Sequence, residues 1–99
     1  MARQTRYLLA YDISSPRRLR RVHGVAMTFG YPLQYSLFVC DLDAVAFVAL
    51  VDALRSEIHE REDRVSLFDL GAPAGGAADR VTHLGRAREI PAVAEATMW

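Results

Sequence analysis

A lone carboxylate followed by a cluster of guanidinium groups is the pairing in this chain that could do chemistry. Asp12 is the only acid among the first forty residues, and Arg17, Arg18, Arg20 and Arg21 follow it closely. The run Tyr11-Asp12-Ile13-Ser14-Ser15-Pro16-Arg17-Arg18 ends an apolar stretch in an acid and opens the next segment on cations. An ionised acid at a buried strand end calls for a charged partner, a metal or a proton. Arginines in the first turns of a helix oppose the positive end of its dipole. A ligand carrying negative charge reconciles both features, with phosphate on Arg17, Arg18 and Arg21 and a divalent cation on Asp12. A local reading competes for Asp12, in which its carboxylate accepts from the backbone N–H of Ser14 or Ser15 and caps the following turn.

The chain's zero net charge hides a division. Residues 1–40 carry six arginines and one acid, for +5, whereas residues 41–99 carry six arginines and eleven acids, for −5. The basic half is the candidate nucleic-acid face, which Arg3 and Arg6 can extend. Lysine is absent, so every cation is a planar fork suited to phosphate. A genomic base-composition bias yields the same residue usage. Phosphate contacts carry no base information, so weak sequence selectivity and strong salt dependence are expected.

The elements that must position these groups follow from periodicity and punctuation. Thr5 to Asp12, rich in Tyr and Leu and followed by Ser-Pro, predicts a buried strand running into a helix. Ser15 is the expected N-cap and Pro16 the first helical residue, where its missing N–H costs nothing. Leu19, Val22, Ala26 and Phe29 fall on one helical stripe, Gly30 is expected as a left-handed cap, and Pro32 bars continuation. Leu33 to Leu42 predicts a single second strand. Alternation sets Asp12 beside Ala10 and Leu8, and assigns Ser36 and Phe38 to that same face.

Asp43 is the expected N-cap of a helix from Ala44 to about Arg61, with Phe47, Val51, Leu54 and Ile58 on its apolar stripe. Arg64 to Leu70 alternates as a third strand, and Arg80 to Leu84 reads as a short fourth. This order lies close to a ferredoxin-like βαββαβ sandwich of the α+β class, with two helices on one sheet face and the other bare. Such a bare, partly apolar face is a dimerisation surface, and a domain of 99 residues leaves little room for a large site except between subunits. Residues 1–84 form the expected domain and 85–99 a tail, in which Ala92 to Trp99 can add a strand to an edge of its own or a partner subunit.

Other chemistries find no support. The sequence holds no P-loop, zinc-ligand spacing or Ser-His-Asp arrangement, and His23, His59, His83 and Cys40 lack companions at metal spacing. One cysteine cannot form an internal disulfide, no apolar stretch approaches the ~20 residues of a membrane span, and the N-terminus lacks a signal-peptide core. A cytoplasmic protein with no membrane partner is expected.

Two motifs at this spacing carry a resemblance. Tyr11-Asp12-Ile13-Ser14 closes the first strand, and Leu33-Gln34-Tyr35-Ser36-Leu37-Phe38-Val39-Cys40 follows the arginine-bearing helix and Gly30. Together they resemble the CRISPR-associated Cas2 family, the small protein of the spacer-acquisition module. The likeness is detailed from about Tyr7 to Leu42, holds in pattern through Leu70, and is loose from Gly71 onward.

The resemblance implies a ferredoxin-like homodimer joined sheet to sheet, with Asp12 at the family's metal-binding position near the two-fold axis. It implies a Mg2+-dependent endonuclease acting on RNA or double-stranded DNA, with Asp12 both catalytic and metal-binding. It also implies a different role, a non-catalytic scaffold bridging the CRISPR integrase on protospacer DNA, with the C-terminal segment docking that integrase. Two carboxylates from symmetry mates suit a hard cation that takes oxygen ligands and keeps waters for substrate phosphate. Arg17, Arg18 and Arg21 would hold the strand, and Ser36 and Phe38 would order water or pack near the axis. A regulatory or RNA-binding module of the same fold is a third reading, against which stands the missing aromatic pattern of RNA-recognition domains.

Overall fold

The structure, a computed structural model describing residues 3–73, 82 and 84–86, opens on the expected strand, β1 (Thr5–Asp12). The Ser15 hydroxyl then accepts from the Arg18 N–H at 3.3 Å, with Pro16 in the first turn, and α1 runs over Pro16–Phe29. The predicted strand Leu33–Leu42 is instead a hairpin, β2 (Tyr31–Gln34) and β3 (Leu37–Leu42), turning at Tyr35 and Ser36. Pro32 is tolerated because β2 is an edge strand of the described sheet, where a missing donor is least costly. Asp43 caps α2 (Ala44–Glu57) by accepting from the Ala46 N–H at 2.8 Å. That helix stops short of Arg61, because Ile58 is already extended. β4 (Arg64–Asp69) follows. The expected strand at Arg80–Leu84 and the tail 85–99 lie wholly or largely outside the described residues.

Every strand pairing is antiparallel, and the order across the sheet is β2-β3-β1-β4. Facing residues Leu9 and Phe38, Tyr7 and Cys40, and Leu9 and Leu67 pair on the side covered by α1 and α2. Leu9, Val22, Phe38 and Leu50 are fully buried there, each contributing roughly 1.5–3 kcal/mol of transfer free energy. On α2 the deepest positions are Leu54, as expected, and Leu50, the neighbour of the expected Val51, while the Tyr7 ring lies tilted against Phe47 with centroids 4.7 Å apart.

Gly30 ends α1 in extended backbone, φ −148°, and not in the expected left-handed cap. What demands glycine is crowding. A Cβ at this position would lie 2.5 Å from Cys40 Sγ and 2.7 Å from the Val39 carbonyl oxygen. Gly30→Ala is therefore expected to cost roughly 1–3 kcal/mol, measured as a lower urea midpoint with unchanged slope. An unmoved midpoint would mean that β3 shifts without penalty.

The second sheet face carries Arg6, Leu8, Ala10 and Asp12 from β1, paired with Asp41, Val39 and Leu37 of β3 and with Phe68, Ser66 and Arg64 of β4. No helix covers it among the described residues. Arg6 does not extend a phosphate surface as the sequence suggested. It is 2% exposed and forks onto Asp41, Nε to Oδ1 and Nη2 to Oδ2, both at 2.7 Å.

Candidate functional site

Asp12 closes β1 on the helix-free face, as alternation with Leu8 and Ala10 requires. Its side chain is exposed, so the strand end is not the buried setting inferred from the flanking residues. It does not cap α1, since that role belongs to Ser15. Among the described residues its carboxylate has no hydrogen bond or ion pair. Arg64 stands opposite it in register on β4 and is likewise exposed. Asp12 and Arg64, with Ala10, Tyr11 and Ser66, line a shallow hollow of about 140 Å³. Sequence alternation groups Arg64 with Ser66 and Phe68, but which β1 residue they meet depends on register, so Arg64 was not a candidate.

The expected companions of Asp12 separate. Phe38 is fully buried on the opposite, helix-covered face, 6.2 Å from the Tyr11 ring and 5.4 Å from the His23 ring between centroids. Alternation within β3 is as expected, with Phe38 and Cys40 opposite Leu37 and Val39, but which of these faces meets Asp12 is set by the β1–β3 register, and Leu37 and Val39 take it. Ser36 sits in the turn, where its carbonyl accepts from the Tyr11 N–H at 3.2 Å.

Of the arginines, Arg18 is already engaged. Its Nε donates to Asp63 Oδ2 at 2.8 Å and its Nη2 to Asp63 Oδ1 at 3.2 Å, to Glu62 Oε1 at 3.0 Å and to Ser14 Oγ at 3.2 Å. This ties the start of α1 to the α2–β4 connection, so Arg18 is a structural clasp and not a free phosphate ligand. Arg17, Arg20 and Arg21, at helical spacings of three and four, are exposed and make no ion pair among the described residues. Arg20 thus takes the place assigned to Arg18, a distinction that rests on an acid 45 residues away.

Asp63 accepts also from the His59 N–H at 2.8 Å and the Ser14 N–H at 3.0 Å. The Arg18 guanidinium above all holds its carboxyl well below the usual 3.8, against the upward push of burial. The unfolded chain therefore binds the extra proton first. This stabilisation is complete above about pH 4 and is lost progressively as pH falls below it. Urea midpoints measured from pH 5 to pH 3 should fall for the wild type, and Asp63→Asn should flatten that part of the dependence. An equally steep slope in the variant would place the acid sensitivity elsewhere.

No group of three His, Cys, Asp or Glu side chains that could hold a metal occurs among the described residues. Cys40 offers no nucleophile, because burial, and secondarily Asp41, pushes its thiol up to about 12. Among the described residues, the exposed and unpaired carboxylate on the helix-free face is that of Asp12. That set fits a cation such as Mg2+ that retains most of its waters and accepts one or two carboxylates. It does not fit an all-protein cage.

An antiparallel α+β domain with a solvent-facing acid at the end of its helix-free sheet face and arginines along its first helix that make no ion pair among the described residues is a small domain built around a candidate nucleic-acid interface. Within that class, the chain belongs to the CRISPR-associated protein Cas2 family, whose model matches residues 5–74. It is 35% identical over 80 residues to the CRISPR-associated endoribonuclease Cas2 of Geobacter sulfurreducens, covering 81% of this chain and 83% of that one. Over 83 residues it is 39% identical to a CRISPR-associated endoribonuclease Cas2 of Rhodospirillum rubrum, with 84% and 80% covered. The crystal structure of Streptococcus pyogenes Cas2 superposes with a TM-score of 0.71 at 29% identity, over 81% of this chain and 99% of that one. No helix among the described residues is long and apolar enough to cross a membrane.

Proposed function

We propose that the chain is the ferredoxin-like subunit of a sheet-to-sheet homodimer and acts as a Mg2+-dependent endonuclease, hydrolysing phosphodiester bonds in RNA or double-stranded DNA. The observation that carries this reading is the exposed, unpaired carboxylate of Asp12 on the helix-free sheet face. Joining two copies through that face gives two such carboxylates, within the one or two that a strongly hydrated cation takes. The endoribonuclease names of the Geobacter and Rhodospirillum relatives support the same reaction class.

In this reading Asp12 would hold Mg2+, which would supply a water of lowered pKa and offset charge developing on the phosphate. Arg64, opposite Asp12 in register, holds the scissile phosphate from the same sheet face. Arg17, Arg20 and Arg21 hold the backbone beyond it through the helix layer, which the turn at residues 13–15 joins to the end of β1. Cleavage of single-stranded RNA and of duplex DNA is expected with Mg2+ and not with EDTA, and re-addition of Mg2+ should restore it. Cleavage undiminished by EDTA would refute the metal-dependent mechanism.

The three unpaired arginines of α1 favour a second reading, in which the dimer holds protospacer duplex and bridges the CRISPR integrase without cutting. Its test is spacer integration by Asp12→Asn. Full integration assigns the essential role to the scaffold, whereas lost integration with DNA binding intact assigns it to the carboxylate.

A further inference from the structure

Beside α1, on the helix-covered side of the molecule, lies a groove that neither Asp12 nor Arg64 reaches. It encloses about 500 Å³ lined by His23, Met27, Pro32, Gln34 and Tyr35. A hollow of about 200 Å³, lined by Leu19, Arg20, His23 and Tyr35, shares two of those walls. Tyr35 is 79% exposed although it is a large aromatic at the tip of a hairpin. Among the described residues nothing requires a ring there, because the turn uses no residue of positive φ and Tyr35 packs on no other described ring.

His23 is held differently. Its Nδ1 lies 3.1 Å from the hydroxyl of Tyr11, a residue only 6% exposed, and its ring meets Phe38 edge-on. A buried hydroxyl proton needs an acceptor, and Nδ1 is the acceptor within reach among the described residues. With Tyr11 donating, the neutral imidazole carries its own proton on Nε2, the nitrogen left for the groove. Burial, with Tyr35 second, raises the Tyr11 phenol above its usual 10.0, so it remains that donor at neutral pH.

The groove therefore combines an exposed aromatic face, an oriented N–H donor, the amide of Gln34 and the unpaired guanidinium of Arg20. An aromatic platform beside a donor and a cation is what a base and its phosphate require, and a base inside a duplex stack has no free face to offer it. Arg17 and Arg21 continue the cationic row along the same helix. Resting on the reading of α1 as the backbone-holding face, we infer that this groove receives one unpaired nucleotide, its base stacked on Tyr35 and its phosphate on Arg20 and His23. The site recognises a single-stranded tail or an unpaired end of a nucleic acid, separately from the hollow at Asp12.

The test compares binding of a blunt duplex with binding of the same duplex carrying an unpaired DNA or RNA tail, by fluorescence anisotropy at fixed salt without Mg2+. Tyr35→Ala and His23→Ala are expected to weaken binding of the tailed duplex about 5- to 50-fold, with the blunt duplex changed less than about twofold. Tyr35→Phe should retain the tail preference, since stacking survives loss of the hydroxyl. A loss confined to RNA or to DNA tails assigns the sugar and supports the site equally. Arg17→Ala/Arg21→Ala should weaken both duplexes and reduce the salt slope. If that double variant changes neither duplex, the reading of α1 fails. If it weakens both while Tyr35→Ala alters the tailed and blunt duplexes alike, the groove inference alone is overturned.

Discussion

Arg6→Met is expected to remove about 3–5 kcal/mol of stability, a large share of the roughly 5–15 kcal/mol of a domain this size. Both side chains of the pair are almost wholly inaccessible, 2% for Arg6 and 1% for Asp41. Their attraction, at two contacts of 2.7 Å, offsets the cost of taking two charges out of water. Removing the arginine leaves that cost on Asp41 without its compensation. The damage should spread along β1, because the Arg6 N–H donates to the Gly71 carbonyl and the Arg6 carbonyl accepts from the Leu70 N–H, both at 2.8 Å. Replacing both partners, Arg6→Met/Asp41→Leu, should recover most of the loss, since the interior then holds neither charge. Urea titrations of the three proteins check this. A loss below about 1 kcal/mol in the single variant would show that water reaches the pair.

Arg6 also shows why part of this molecule is legible in its sequence and part is not. The start of α1 is local chemistry: Ser15 and Pro16 mark a cap and a first turn whatever the rest of the chain does, and Asp43 marks α2 in the same way. Asp12 could be placed on a face because alternation within one strand needs no partner. The fates of Arg6 and Arg18 are set by Asp41 and Asp63, 35 and 45 residues distant. Side-chain type alone gave both the same phosphate-binding expectation. The hairpin escaped for a different reason. Its turn, Tyr35-Ser36, contains no Gly, Pro, Asn or Asp and no positive φ, and the register shifts between Pro32 and Gln34. Phe38 fell on the wrong side of the sheet because the face it shares with β1 is set by the β1–β3 register, which alternation within one strand does not supply. Gly30 was recognised as necessary, but the necessity comes from Cys40 and Val39 across the fold.

Asp12→Asn is expected to lower the rate of Mg2+-dependent cleavage at least about 100-fold while leaving stability within roughly 0.5 kcal/mol, because the side chain is exposed and has no partner among the described residues to lose. A carboxamide keeps the shape but offers a neutral, weaker oxygen ligand. Losing several kcal/mol of charge stabilisation at the phosphate accounts for a factor of that size. Nucleic-acid binding without Mg2+ should persist or tighten slightly, since a negative charge near the backbone has been removed while Arg17, Arg20, Arg21 and Arg64 remain. The stoichiometry of the site is testable in the same preparation. If Asp12 from each of two copies is needed, mixing wild type with excess Asp12→Asn under subunit exchange should make activity fall as the square of the wild-type fraction. Heterodimers as active as the wild-type dimer would mean that one carboxylate suffices, and a linear fall that each subunit acts alone. Cleavage by the pure variant at the wild-type rate would remove Asp12 from the chemistry altogether.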